Sequence, residues 1–272
     1  ILSELNLPKG SMQLIDEAKM HEIAAFFANQ TSVMATGGSA SNTINGIAKL
    51  GIQGAFLGKI GKDEVGNFFK NDSLKNGVKP DLLHSETPSG RCTVLVSSDG
   101  ERTLCTYLGA ACELSADEIE LKFFEDYSIF HVEGYLVQNH ELISTAVKLA
   151  KSAGLLISID LASYNVVESN LDFLTDLIAN YVDIVFANET EAEVFAKKPP
   201  REALDEISKI CKIAVVKIGK DGSMVKSGDE YHYIEAWPAD TIDATGAGDI
   251  YAAGFLFAHA NGLSLKECGD VG

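Results

Sequence analysis

The chain has 272 residues, 46% of them hydrophobic and 22% charged, enough apolar content to bury the core of one large α/β domain. Its 39 acidic residues against 22 basic ones give a formal net charge of −17, which argues against nucleic acid or an anionic membrane as main partner. The same negative charge means that any bound phosphate must be held locally, by backbone amides, lysines or a metal; no apolar run reaches the roughly 18 residues of a membrane helix, and no signal peptide is visible.

In chain order, residues 15–27 have helical spacing, with Asp16 and Glu17 in the first turn. Residues 33–35 are short and apolar. The glycine pair Gly37-Gly38 leads into a helix that runs to Leu50, where Gly51 is placed as a C-terminal cap. Residues 54–60 read as a strand and 64–75 as a helix. Residues 91–97 alternate Cys92, Val94 and Val96 with polar residues, turn at 98–101 and return over 102–107. This is a hairpin with one apolar face, and its place outside the later rhythm suggests a projecting lid.

From residue 128 onward, strands (128–132, 155–160, 183–187, 213–218) alternate with helices (141–153, 171–180, 189–196, 201–211). A hairpin over 224–234 turns at Gly228-Asp229, and a helix over 248–260 is closed by Asn261-Gly262. Such alternation implies an α/β fold with three layers, α/β/α, around a mostly parallel sheet covered on both faces. Ligands in such sheets bind at the carboxyl ends of the strands. Gly37-Gly38, Glu133, Asp160, residues 188–191, 217–219 and 243–249 all fall there.

The run Asp243-Ala244-Thr245-Gly246-Ala247-Gly248-Asp249 sets a glycine turn and a carboxylate at one helix N-terminus. Free amides and the helix dipole make an anion site there. A carboxylate beside it suits a base that deprotonates a hydroxyl for attack on phosphate, whereas the plainer reading is an acidic residue favouring the dipole. Gly37-Gly38 lets the backbone approach a ligand and Asn42 can bond a hydroxyl, or the segment is a tight strand–helix turn. Asn188 and Glu191 have capping-box spacing, or serve a metal-bound phosphate. Lys217, Gly219 and Gly222 form a turn with solvated lysines, or a nucleotide edge. Glu133 is placed to hold a substrate hydroxyl, and Tyr135 is an aromatic of the core or of an apolar ring site. His131 and Glu133 are read as a strand pair rather than a metal cluster. Gly58-Lys59 and Gly61-Lys62 lack the rest of a P-loop, and the late glycines do not fit a dinucleotide fingerprint. The five cysteines contain no C-x-x-C pair and their number is odd, which suggests free thiols in a reducing cytoplasm; Cys92 and Cys105 could face one another across the hairpin, without a disulfide being expected there.

These motifs, in this order and spacing, resemble the ribokinase-like (PfkB) carbohydrate kinase family, which includes adenosine kinases, from about residue 7 to 272. Residues 243–249 resemble its late signature, 37–42 its early glycine motif and 188–191 its N-x-x-E motif. The resemblance implies a single kinase domain, 1–272, with lid strands from about 54–60 and 91–107. It implies an ATP- and Mg²⁺-dependent phosphotransferase with an alcohol group as acceptor, a CH₂OH of a sugar or nucleoside. Asp249 would be the base, with Gly246, Ala247 and Gly248 as the anion hole. Gly37, Gly38, Asn42 and Glu133 would hold substrate hydroxyls. Asn188 and Glu191 would act on phosphate and on Mg²⁺ through water, and Lys217, Gly219 and Gly222 would lie by the ATP, although the family often has Thr at the position of Lys217. Asp243 and Thr245 match positions that hold a monovalent cation such as K⁺ in some members. The early strand with a substrate-gripping Asp and the tail that helps enclose nucleotide have no counterpart here, so further chain is expected before Ile1 and after Gly272. The acceptor is a sugar or adenosine, wording around 7–12 and 37–42 being similar to bacterial adenosine kinase-like members. The alternative is a non-catalytic regulatory relative that binds sugar or nucleotide. The lid's apolar face, with Val94 and Val96, is expected either to pair with a second copy or to cover its own site.

Overall fold

The structure, a computed structural model, describes residues 2–239 and 244–272. The elements of the first half are β1 (Met12–Leu14), α1 (Glu17–Phe26), α2 (Ser39–Lys49), β2 (Gly54–Gly61), α3 (Glu64–Lys75), β3 (Val78–Ser85), β4 (Arg91–Val96), β5 (Arg102–Tyr107) and β6 (Ile129–Glu133). Those of the second are α4 (His140–Ser152), β7 (Leu156–Asp160), α5 (Tyr164–Ser169), α6 (Leu171–Tyr181), β8 (Ile184–Asn188), α7 (Glu189–Ala196), α8 (Pro200–Ile207), β9 (Ile213–Lys217), β10 (Ser223–Ser227), β11 (Glu230–Ile234), α9 (Ala247–Ala260) and α10 (Leu265–Val271). Two compact units emerge: one of Ile1–Thr36, Leu57–Lys75 and Pro80–Leu114, the other of Gly37–Phe56, Asn76–Lys79 and Ser115–Gly272.

In the first unit, β5 lies between β1, parallel to it, and β4, antiparallel. Asp16 starts α1 by accepting the Lys19 amide at 2.8 Å. The helix then buries Ile23 with Leu5, Leu7 and Cys105. The hairpin register corrects one expectation: Cys92 stands opposite Thr106 and Cys105 opposite Thr93. Successive side chains alternate faces, so the two thiols lie on opposite sides of the sheet. Cys105 is buried and Cys92 exposed, and all five cysteines are free. Strands β1 and β3 were not foreseen. β1 has only three residues, and Pro80 within β3 reads against a strand. Residues 33–35 are irregular and exposed.

In the second unit, a six-stranded sheet runs in the order β11-β10-β9-β8-β7-β6. Strands β6 to β9 are parallel, and β10 and β11 continue antiparallel through the expected hairpin. Ile184, Phe186, Ile213, Val215 and Val225 form one core with Phe255, Leu256 and Cys268 of α9 and α10. The alternate residues Val185, Ala214 and Val216 are equally buried. Helices α4, α7 and α8 pack on strands β7 to β10, so helices cover both faces of the sheet. Burial on both faces explains the continuous apolar runs of these strands. The short helices α5 and α10 were not foreseen, and α8 stops at Ile207 rather than Cys211. No helix among the described residues is long and apolar enough to cross a membrane.

Asp183 pins the amino ends of three strands. Its Oδ2 accepts the Ile157 amide at 2.9 Å and Lys151 Nζ at 2.8 Å, and its Oδ1 pairs with Lys212 at 2.7 Å. Its backbone carbonyl accepts the amides of Lys212 and Ile213 at 3.0 and 2.9 Å. Burial alone would raise its pKa, but the two lysines and the amide outweigh it and hold the carboxyl below the usual range. Asp183→Ala strands the buried Ile157 amide and is expected to cost about 1–3 kcal/mol in urea unfolding. A depressed pKa stabilises above the ordinary carboxylate value and loses that effect as pH falls through the folded-state value. The gap between wild type and variant should therefore be full at neutral pH and narrow below about pH 4.

Candidate active site

The site is built in the second unit from two helix N-termini and the carboxyl ends of four strands. Helix α2 starts at Gly38, whose φ of 101° suits glycine and which offers no capping side chain. The missing cap comes from β6: Glu133 Oε2 accepts the Ala40 amide at 2.9 Å, placing negative charge at a helix N-terminus. Along α2, Ser39, Asn42, Thr43 and Gly46 recur at i, i+3, i+4 and i+7, one stripe of the helix. That stripe meets α9. A Cβ on Gly46 would lie 2.7 Å from Ala253 Cβ, so only glycine admits the approach.

The contact brings α2 onto Asp249, the third residue of α9. Ser39 Oγ donates to Asp249 Oδ1 at 2.7 Å and Asn42 Nδ2 to Oδ2 at 2.8 Å. Thr43 Oγ1 donates to the Asp249 carbonyl at 3.2 Å. Gly246, with φ of 76°, turns the chain into α9. A Cβ there would stand 3.3 Å from Asn42 Nδ2.

Strands β6, β7, β8 and β9 end respectively in Glu133, Asp160, Asn188 and Lys217. Lys217 Nζ donates to Asp160 Oδ2 at 2.6 Å, with side chains only 15% and 9% exposed. Asp160 Oδ1 accepts the Ala162 amide at 3.0 Å. Lys217 Nζ would be 3.0 Å from a Cβ on Gly248, so that glycine makes room for the ammonium at the start of α9. Asn188 caps α7: its Oδ1 accepts the Glu191 amide at 2.9 Å, while Glu191 accepts from the Asn188 amide at 2.8 Å and from Nδ2 at 2.7 Å. At the end of β9, Gly219 and Gly222 have positive φ, and a Cβ on Gly222 would fall 1.9 Å from the Ile234 carbonyl oxygen.

Charge crowds this edge. Burial, then the Asp160 carboxylate, pushes Glu191 up to about 7. Glu133 is raised by burial and by Asp249 and Asp160, against the pull of the Ala40 amide. Burial lowers His131 to about 4, which keeps it neutral. Its Nδ1 meets Ser158 Oγ at 2.8 Å, and its buried Nε2 has no hydrogen-bond partner among the described residues. Tyr135 is half-exposed and its hydroxyl is raised by burial.

Of the residues singled out in the sequence, Gly37, Gly38, Asn42, Glu133, Gly246, Ala247, Gly248 and Asp249 lie along the two helix starts, with Glu133 reaching them from β6. Asn188, Glu191, Lys217, Gly219 and Gly222 lie at the adjoining strand ends. Thr245 is exposed, and Asp243 falls outside the described residues. Ser39, Ala40, Thr43 and the Asp160–Lys217 pair were not assigned roles beforehand. The polar and small stripe of α2 was the available signal for the first three. No cluster of three His, Cys, Asp or Glu side chains suited to a metal occurs among the described residues.

Residues 12–272 match the pfkB family carbohydrate kinases, and the chain belongs to that family. It is a phosphotransferase acting on hydroxyl acceptors, a sugar or nucleoside kinase. Two crystal structures are similar over 99% of this chain and 84% of their own: an adenosine kinase from Sinorhizobium meliloti, 34% identical with a TM-score of 0.87, and a probable sugar kinase from Rhizobium etli, 33% identical with a TM-score of 0.88. An uncharacterized sugar kinase from Archaeoglobus fulgidus is 27% identical over 84% of this chain and 91% of its own.

Glu191 generates a pH signature. A carboxyl with a raised folded-state pKa binds its proton more tightly when folded, so its contribution to stability falls as pH rises from about 4.5 to about 7. In Glu191→Gln that fall is expected to disappear, flattening the stability–pH curve of the ligand-free protein between pH 5 and 7. Urea unfolding across that range, with a carboxyl-carbon NMR titration of the wild type, checks it.

Proposed function

We propose that this kinase transfers the γ-phosphate of ATP to a CH₂OH hydroxyl of a sugar or nucleoside, with Asp249 as general base. The observation that carries this reading is the grip of Ser39 and Asn42 on both Asp249 oxygens beside the Gly246–Gly248 turn. The first amides of a helix have no intrahelical acceptor. Ala247 N–H turns back to the Ala244 carbonyl at 3.1 Å, which leaves the amides of Gly248 and Asp249 to receive the migrating phosphoryl group. Asp249 takes the acceptor's proton as the new O–P bond forms and the bond to the ADP oxygen breaks. Gly37, Gly38, Asn42 and Glu133 bind acceptor hydroxyls in this reading. Lys217, Gly219 and Gly222 attend the nucleotide, Lys217 adding positive charge beside Gly248.

The residues present fit Mg²⁺, which takes one or two carboxylates and keeps waters and substrate phosphates as its other ligands. The mutual crowding of Glu191 and Asp160 is relieved by a cation. Asn188 and Glu191 would hold the ion through water, and it would neutralise phosphate charge. Thr245 with Asp243 is the proposed place for K⁺. The lid role of 54–60 and 91–107, pairing of copies through Val94 and Val96, and a cytoplasmic setting belong to the same proposal. Similar identities to an adenosine kinase and a probable sugar kinase keep both acceptor classes in view.

Removing a general base costs about 10²–10⁴ in rate. Asp249→Asn is expected to fold and to lose that much kcat, in ADP-release assays with Mg-ATP and a panel of adenosine, ribose and fructose, with and without K⁺. Near-normal turnover in the variant removes Asp249 from the base role. The acceptor that gives strong turnover in the wild type names the substrate.

A further inference from the structure

We infer that Ser39 is a specificity-determining residue that shields the base from water until an acceptor arrives; this rests on Asp249 being the base. In the ligand-free site, Ser39 Oγ donates to Asp249 Oδ1 at 2.7 Å, the kind of bond an acceptor hydroxyl must make to be deprotonated. Asn42 Nδ2 holds the other oxygen at 2.8 Å. Each carboxylate oxygen thus already receives a donor from α2. Ser39 is the first residue of α2 and partly buried. Asn42, Thr43 and Gly46 of the same stripe tie α2 to α9, so the serine hydroxyl is presented by a fixed frame rather than a loose loop.

A hydroxyl held in place competes strongly with a free one, because its translational entropy is already spent. Water brings a single oxygen and no other binding energy with which to displace it. A sugar or nucleoside has further hydroxyls whose contacts can drive the exchange at Oδ1. Ser39 therefore discriminates between the two nucleophiles open to a kinase. In the reaction it suppresses, a water oxygen bonds the γ-phosphorus, the bond to the ADP oxygen breaks and the water proton passes to Asp249.

The test is ADP release from Mg-ATP with no acceptor present, using wild type, Ser39→Ala, Ser39→Thr, Asp249→Asn and the double variant Ser39→Ala/Asp249→Asn, each checked for fold by circular dichroism. Ser39→Ala should raise acceptor-free ADP release about tenfold, the value of one hydrogen bond to a charged group. Ser39→Thr keeps a hydroxyl and should stay near wild type. The increase should vanish in the double variant, which a merely structural role for Ser39 would not produce. Acceptor-free release in Ser39→Ala no faster than wild type, or equally fast in the double variant, overturns the inference. Failure of the kinase reading itself looks different: Asp249→Asn then keeps wild-type turnover with the acceptor panel.

Discussion

The close approach of α2 to α9 at Gly46 and Ala253 is the constraint on which the site depends. Two helices that carried ordinary side chains at this crossing would stand farther apart, because interaxial distance is set by the residues at the contact. Ser39 and Asn42 would then fall short of Asp249. With a glycine at the crossing, two polar side chains of α2 reach a carboxylate on α9, and Glu133 closes the start of α2 from β6. A packing detail one and two turns into α2 thus decides the geometry at its beginning. The same contact sets the orientation of a carboxylate whose two oxygens would otherwise be free to rotate.

The electrostatics have a matching logic. Four carboxylates, Glu133, Asp160, Glu191 and Asp249, gather at the carboxyl ends of the strands with Lys217 as the neighbouring, partly buried ammonium. Burial and the neighbouring carboxylates raise both Glu133 and Glu191, Glu191 to about 7. The positive elements stand beside them: the backbone amides at the start of α9 and the Lys217 ammonium, which is paired with Asp160. In the proposed reading, a strongly acidic chain holds a polyanion through such local donors rather than through a basic surface.

Much of this was legible in the sequence. The α/β rhythm after residue 128 appears at nearly its predicted boundaries, because strands buried on both faces read as apolar runs between helices with clear caps. Asp16, Asn188 and Gly51 marked helix ends through the hydrogen bonds and positive φ that such residues supply. Strands β1 and β3 were invisible because one is too short to show alternation and the other contains Pro80. The opposite facing of Cys92 and Cys105 depended on register, which a two-residue periodicity makes sensitive to a single-position slip. At the site, the glycine motifs announced themselves, whereas the Ser39–Asp249 bond and the Asp160–Lys217 pair join residues 210 and 57 positions apart. Only the packed helices and the sheet could reveal those partners.

The Asp183 pin lies at the opposite end of the strands from Lys217 and Asp160. Anchorage and the proposed chemistry thus occupy different ends of β7, β8 and β9, with an apolar core between them. Such separation gives the scaffold room to diversify. Loops at the carboxyl edge can lengthen or exchange residues and so change which alcohol is accepted, while the amino edge keeps the strands in register. A lineage built on this plan can explore new acceptors by small steps, each drifting at one rim of the sheet without unfastening the other.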